Sequence, residues 1–279
     1  MIDPQGPPGR SEPREVIELR RLKDDQPELA AAANLQIELI QLQRRVQSRL
    51  RLPSIKLESE YLNNLLGNGP ILQFDHLVVD WNDVRFLLRA TAAAMRTHEA
   101  LEEDDYRRAE ALARDADKLP AAIRVWYDSV RPGASGLDAE AGLETVISQT
   151  MRPFLVRAAE AIMARSDLAD WEGGHCPLCG GEPDLAVITP AADRLLICSR
   201  CAGRWRFAQL TCPFCLNDDR SRITSFASRD GQYRIYACDV CERYLKAYDA
   251  RRASRPVMPV VDSVATLALD AAAMQRGYK

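Results

Sequence analysis

No cysteine occurs before Cys176 in this 279-residue chain, and the only histidines are His76, His98 and His175. No stretch reaches the roughly 18 to 20 uncharged apolar residues that a membrane span needs, so none is expected. The opening segment, MIDPQGPPGRSEPREVIELRRLKDD, lacks the apolar region of a secretory signal. A cytoplasmic protein with a disordered start is the expectation that follows. Charge of one sign is not in excess either: the net value is -3. Without an overall basic field, nucleic acid and anionic membrane surfaces are disfavoured as partners. A Ser/His/Asp order, a phosphate-cradling glycine loop and an HExxH pattern are all missing, so no residue is assigned a catalytic role and a non-enzyme is expected. The acid pairs Glu102/Glu103 and Asp104/Asp105 are read as a solvated helix start.

What is present has the make-up of a globular protein, with 47% apolar and 28% charged residues and length enough for two domains. Up to about residue 170 the apolar residues recur at helical spacing. Leu35, Leu39, Leu42 and Val46 form one stripe, entered through Asp25 and Pro27 as cap and first-turn proline. Val84, Leu87, Leu88, Thr91 and Met95 form another, behind the capping candidates Asn82 and Asp83. Residues 102–115 and 119–130 read as shorter helices and RPGASG (131–136) as a loop. A last helical pattern runs from Asp138 to Ser166, with Pro153 expected to break or kink it near Arg152.

From Gly173 the pattern turns to short apolar, β-branched runs between turn residues: DLAVITP, DRLLICSRC, RITSFAS and QYRIYACDV. After Pro259 a helical pattern returns, placing Val264, Leu267, Ala271 and Met274 on one face. The expected fold class is α+β: an N-terminal α-helical domain, then two small rubredoxin-like or zinc-ribbon β modules and a C-terminal helix. The boundaries drawn are a disordered N-terminus at 1–14, the helical domain at 15–170, a first four-cysteine ribbon at 171–206, a second at 207–259 and the C-terminal helix at 260–279.

All eight cysteines fall in four CxxC pairs, Cys176/Cys179, Cys198/Cys201, Cys212/Cys215 and Cys238/Cys241, separated by 18, 10 and 22 residues. A CxxC turn aims two thiolates at one point, and a strand pair brings a second turn opposite it. Sequential pairing, two sites of four thiolates, fits these gaps; an interleaved cross-brace is the alternative, and the 10-residue gap suits a linker better than a hairpin. Redox chemistry of the thioredoxin type needs a helix N-terminus beside its CxxC, and structural disulfides need an oxidising compartment, so metal binding is the favoured reading. Four thiolates suit Zn2+ and a mononuclear iron alike, and both stay open. Two metal ions, Fe or Zn, one per four-cysteine site, are expected. Closed sites of this kind leave no position for water, which argues against metal-assisted hydrolysis.

His175 borders the first knuckle but is read as solvent-facing, since the cysteines already complete two sites. Trp205, Phe207 and Phe214 are read as filling the cores of small ribbons. Residues 171–260 hold 13 Lys or Arg against 10 Asp or Glu, and the remainder 24 against 30. Two thiolate sites, each adding about -2 with a divalent metal, bring the ribbon half close to neutral. Arg200, Arg204 and Arg206 are the best candidates for an anion or acidic-partner patch, though a solvated face that offsets the thiolate charge is the favoured explanation.

The succession CPLCGGEP, LLICSRCAGRW, LTCPFC, YACDVCERYLKAYD and DSVATLALDAAAMQRGY, ordered from Cys176 to Tyr278, resembles the FdhE-type formate dehydrogenase accessory proteins. The resemblance implies a cytoplasmic chaperone-like assembly factor. Such a factor binds the catalytic subunit of a respiratory formate dehydrogenase, a molybdenum or tungsten enzyme, during maturation before export. It implies as metal ligands Cys176, Cys179, Cys198, Cys201, Cys212, Cys215, Cys238 and Cys241, with iron or zinc held there and the knuckles needed for partner binding. Asp262, Thr266 and Asp270 match the family's terminal motif, and each also has a structural reading, as a cap or as one-turn neighbours. Gln209 departs from the basic residue expected between Trp205 and the third knuckle, which puts any anion contact there in doubt. A nucleic-acid-binding zinc ribbon and a rubredoxin-like electron carrier are the competing functions. The first needs a basic stripe that the near-neutral ribbon half does not supply. No residue is singled out for partner binding.

Overall fold

The computed structural model describes residues 12–67, 69–130, 141–169 and 171–279. The loop expected at 131–136, the helix start expected at Asp138 and most of the disordered segment expected at 1–14 lie outside the described residues.

The helical half comprises α1 (Arg14–Asp25), α2 (Ala30–Gln47), α3 (Ser59–Leu66), α4 (Trp81–Thr97), α5 (Glu103–Arg114), α6 (Lys118–Asp128) and α7 (Ala141–Met163). The stripes read from the sequence face inward: Leu39, Leu42 and Val46 on α2, and Val84, Leu87, Leu88, Thr91 and Met95 on α4, are all buried. Four local expectations need correction. Asp25 closes α1 instead of capping α2, which begins only after a 3-10 turn at Pro27–Leu29. Asp80 caps α4, accepting from the Asn82 amide, while Asp83 is engaged by Arg49 at 2.6 Å. Asp105 is buried, not solvated, and lies so close to Gly142 that a Cβ there would collide with its carboxylate. Finally, α7 runs through Pro153 without a break. The proline leaves the Gln149 carbonyl without its i+4 donor, and Gln43 Nε2 of α2 supplies one at 3.1 Å.

The cysteine-bearing half is one six-stranded mixed sheet of β1 (Pro183–Ile188), β2 (Arg194–Cys198), β3 (Arg204–Arg206), β4 (Ile223–Ala227), β5 (Tyr233–Cys238) and β6 (Arg243–Asp249), in the order β3-β2-β1-β6-β5-β4. Both ribbons have the same plan: knuckle, strand, strand, knuckle, strand. Within each ribbon the pairing is antiparallel, and the parallel pair β1–β6, Leu185 opposite Lys246 through Ile188 opposite Asp249, fuses the two. The third strand of each ribbon, β3 and β6, was not anticipated.

At the C-terminus the expected single helix is two, α8 (Pro259–Ala265) and α9 (Leu267–Gln275), which turn at Thr266. The turn reverses the face: Asp262 and Thr266 are fully buried, whereas Leu267 and Met274 are 41% and 65% exposed. The reason is polar. Asp262 accepts from Tyr233 Oη (2.8 Å), Arg255 Nη2 (2.6 Å) and the Met258 amide (2.7 Å). Asp270 accepts from Tyr244 Oη and Lys246 Nζ, both at 2.8 Å. These carboxylates, Asp262 buried and Asp270 half-buried, once satisfied, decide which side of the helices faces in. Among the described residues no helix is long and apolar enough to cross a membrane.

Candidate metal centres

Each CxxC knuckle closes with the same backbone geometry. In the first, the Gly180 amide donates to the Cys176 carbonyl at 2.9 Å; Ala202 to Cys198 (3.1 Å), Leu216 to Cys212 (2.9 Å) and Glu242 to Cys238 (2.9 Å) repeat it. The residue after the second cysteine is left-handed in all four, with φ of 78° at Gly180, 55° at Ala202, 60° at Leu216 and 56° at Glu242. Only the first knuckle uses the glycine that this conformation favours. Three side-chain-bearing residues held there mean that the surrounding structure dictates the turn.

The knuckles meet in sequential pairs. Cys176, Cys179, Cys198 and Cys201 form one group and Cys212, Cys215, Cys238 and Cys241 the other, each with its sulfurs within 4.8 Å of one another. Sγ–Sγ separations are 3.6 Å (Cys176–Cys201) and 3.5 Å (Cys179–Cys198) in the first, 3.6 Å (Cys212–Cys241) and 3.7 Å (Cys215–Cys238) in the second. A disulfide would require about 2.05 Å. A tetrahedron of thiolates about 2.3 Å from a central metal has edges of about 3.8 Å, so both groups fit a metal ion of that kind. Within each tetrad the thiols influence one another: burial pushes Cys176 up in the first and Cys241 up to about 12 in the second, while, against burial, hydrogen bonds from neighbouring sulfurs and amides hold Cys198 and Cys238 down. In the first group the Arg200 and Gly203 amides also donate to Cys198 Sγ and Cys201 Sγ at 3.4 Å.

The surroundings differ. The first centre is buried on all four cysteines and belongs to the same apolar cluster as the helical core, beside Leu178 and Trp205. Ile71 and Leu72 of the helical half donate backbone hydrogen bonds to Pro177 and Leu178 at 3.0 and 2.7 Å. Arg200 reaches across to the end of α6, donating to the Tyr127 and Trp126 carbonyls at 3.0 Å and stacking on Trp126 at 4.2 Å. The second centre has Cys215 exposed and Cys241 half-buried, and its knuckle residues Leu216 and Val240 are 60% and 53% exposed.

Between the centres, Arg243 donates to Glu182 through two 2.7 Å hydrogen bonds and lies 3.7 Å over Phe214. A Cβ on Gly174 would collide with the Pro213 backbone, so that glycine permits the first and third knuckles to touch. Arg194, on β2, donates to the carbonyls of Ala208 (3.2 Å), Gln209 (3.3 Å) and Thr211 (2.8 Å), tying the linker ahead of Cys212 to the first ribbon.

The remaining sequence candidates fall into place around this frame. His175 is exposed and gives its carbonyl to Trp171 Nε1 (2.9 Å). Trp205 is buried and donates to the Gly173 carbonyl at 3.0 Å, while Phe207 and Phe214 pack against the main cluster. The three arginines do not form one patch: Arg200 is turned into the domain junction, while Arg204 and Arg206 stay exposed at alternate positions of β3, with Arg206 3.7 Å from Asp193. Gln209 donates to the Ala192 carbonyl at 2.6 Å. The sequence reading missed Arg194, Arg243 and Glu182, whose partners are far away in the chain and leave no local pattern.

No family model matches the chain. Among curated proteins it is similar to a Protein FdhE homolog of Actinobacillus pleuropneumoniae serotype 3 (strain JL03), with 26% identity over 208 residues, 71% of this chain and 63% of that one. It is also similar to Protein FdhE of Escherichia coli (strain K12), with 28% identity over 107 residues, 37% of this chain and 34% of the other. The matched chain thus spans less than two thirds of the length of these relatives. Its fold aligns with the crystal structure of the FdhE protein from Pseudomonas aeruginosa at a TM-score of 0.66 and 22% identity, covering 95% of this chain and 92% of that chain.

Proposed function

On the premise that the chain belongs with the FdhE proteins, the family that its curated relatives and fold support, we propose that it is a cytoplasmic, non-catalytic accessory protein. It binds the catalytic subunit of a respiratory formate dehydrogenase during maturation, before export. Each four-cysteine group holds one metal ion, zinc or iron, with Cys176, Cys179, Cys198 and Cys201 as ligands of one and Cys212, Cys215, Cys238 and Cys241 of the other.

The observation that carries this reading is the pair of thiolate tetrads on one continuous sheet, in the fold just compared. Four-thiolate sites are coordinatively closed, so a metal there shapes and stabilises a surface and offers no position for substrate. Thiolates supply the metal's ligand field, the knuckle amides offset part of their charge, and the sheet holds the two centres in a fixed relation for a partner to read. A nucleic-acid ribbon is not favoured, because Arg200 is turned into the fold and the exposed Arg206 lies beside Asp193, which leaves no basic stripe of the three.

Affinity capture with the metal-loaded chain from an oxygen-limited, formate-grown culture tests the partner. A formate dehydrogenase catalytic subunit is expected in the eluate; its absence with folded, metal-loaded bait overturns the assignment. Metal analysis of anaerobically purified protein should give about two ions per chain, and none would remove the metal reading.

A further inference from the structure

A buried guanidinium needs a negative partner, and Arg194 has no carboxylate. It is only 3% exposed, yet among the described residues it enters no ion pair, and its Nε is buried without a hydrogen-bond acceptor. Its Nη1 is spent on three neutral carbonyls, which orient the group without cancelling its charge. Aromatic rings cover it, Tyr236 at 5.4 Å and Phe207 at 5.9 Å, and these too leave the charge uncancelled. Leaving such a cation buried and unmatched is expensive.

The anion is next to it. Arg194 lines a cavity of about 10 Å3 together with Cys212, Cys238, Phe214, Tyr236 and Arg243, room for no more than about one water. Four thiolates around a divalent metal carry a net charge of about -2, and in a cavity this dry the attraction is poorly screened. Arg243, the other cation at this cavity, is already matched by Glu182. Burial pulls Arg194 down to about 10 against the opposing pull of Tyr236 and Cys212.

We propose that Arg194 is the built-in counter-cation of the second four-cysteine centre, so that the first ribbon sets the charge balance and metal retention of the second. It is a positioning residue, acting on the centre through space and through the linker carbonyl of Thr211, one residue before Cys212. The first centre has an analogue on its own knuckle, Arg200, but that guanidinium faces the carbonyl end of α6 and shares its charge with the helix terminus. Only the second centre borrows its cation from the other ribbon. The consequence is directional: the second centre depends on the first ribbon being folded, and the first does not depend on the second in this way.

The inference rests on both tetrads binding metal, and the experiment separates the two claims. Zinc-loaded wild-type, Arg194→Met and Arg194→Lys chains are exposed to a chromogenic chelator together with iodoacetamide, and the alkylated cysteines are mapped by mass spectrometry. Arg194→Met should release zinc and expose Cys212, Cys215, Cys238 and Cys241 at least tenfold faster than wild type, with Cys176, Cys179, Cys198 and Cys201 unchanged. Arg194→Lys, which keeps the charge, should recover most of that retention; it also decides the matter if the Met variant fails to fold. With iron in place of zinc, loss of the cation should lower the reduction potential of the second centre in Arg194→Met but not in Arg194→Lys, a readout that mere packing would not move. A wild-type chain that takes up no second metal overturns both claims. Two metals, with equal alkylation rates in wild type and Arg194→Met, overturn this inference alone, and so does equal loosening of both tetrads.

Discussion

The two four-cysteine centres share knuckle geometry, sulfur spacing and strand plan, but one is sealed and the other is open. Cys176, Cys179, Cys198 and Cys201 are part of the main apolar core, walled by Leu178, Trp205 and the ends of helices. Cys215 and Cys241 reach solvent, with Leu216 and Val240 protruding beside them. A repeated local motif has therefore been placed in two environments. In the first a bound metal would stand where a core residue does, and losing it would open a hole under the helices. In the second it would stiffen a projecting tip, where a partner or a competing chelator could reach the thiolates. Equal local chemistry does not imply equal consequences.

The largest effect that tests this contrast is loss of one ligand from each centre. Cys176→Ser should lose about one metal ion per chain and also the cooperative thermal transition of the helical half, since a structural metal contributes on the order of 10 kcal/mol, comparable to a whole domain's stability. Cys238→Ser should lose one ion too, while the helical circular dichroism and its melting transition stay in place. Metal content and melting curves of the two variants decide it. Equal loss of the helical transition in both would show that the ribbons fold as one unit and that the contrast in burial has no energetic counterpart.

A smaller effect concerns the bridge between the centres. Glu182 follows the first knuckle and Arg243 the fourth, and the Arg243 hydrogen bonds hold the Glu182 carboxyl below its usual range. A depressed carboxylate contributes stability that is present above the unfolded value of about 4.3 and is lost as pH falls through the folded value. Both side chains are partly exposed, 35% and 41%, so solvent screening limits the contribution to about 1 kcal/mol or less. The stability difference between wild type and Glu182→Gln, followed by chemical denaturation, should be constant above pH 5 and vanish toward pH 3. A difference that persists at pH 3 would mean that the pair works through packing on Phe214 and not through charge.

How much of this was legible in the sequence follows from how local each determinant is. The CxxC spacing announced both tetrads and their sequential pairing, because a knuckle is built by five consecutive residues and the gaps between knuckles bound the hairpins. The inward stripes of α2 and α4 were legible for the same reason, as periodicity is written along one segment. Three things depended on distant partners and were not. Pro153 reads as a helix breaker until Gln43, from another helix, is seen to satisfy Gln149. The terminal helices read as amphipathic with Leu267 and Met274 inward, until the sheet supplies Tyr233, Tyr244, Lys246 and the nearby Arg255 to Asp262 and Asp270. The parallel pairing of β1 with β6, which makes one sheet of two ribbons, joins strands separated by the rest of the first ribbon and most of the second. No periodicity along either strand encodes it.

The smallest effect probes the open centre from within its backbone. Leu216 sits at φ 60° with its side chain 60% exposed. A left-handed conformation costs an L-residue roughly 1–2 kcal/mol, which glycine avoids, while the extra freedom of glycine in the unfolded chain returns about 0.5–1 kcal/mol. Little burial is lost with so exposed a leucine. Leu216→Gly should therefore raise the stability of the zinc-loaded chain by about 0.5 kcal/mol and slow zinc release from the second centre slightly, without touching the first. Ala202→Gly, at φ 55° in the sealed centre, gives the matching measurement with almost no side chain removed. If Ala202→Gly stabilises and Leu216→Gly destabilises, the protruding leucine is held by contacts that outweigh its strained backbone, and the third knuckle's tip, in the second centre, is less open than its exposure indicates.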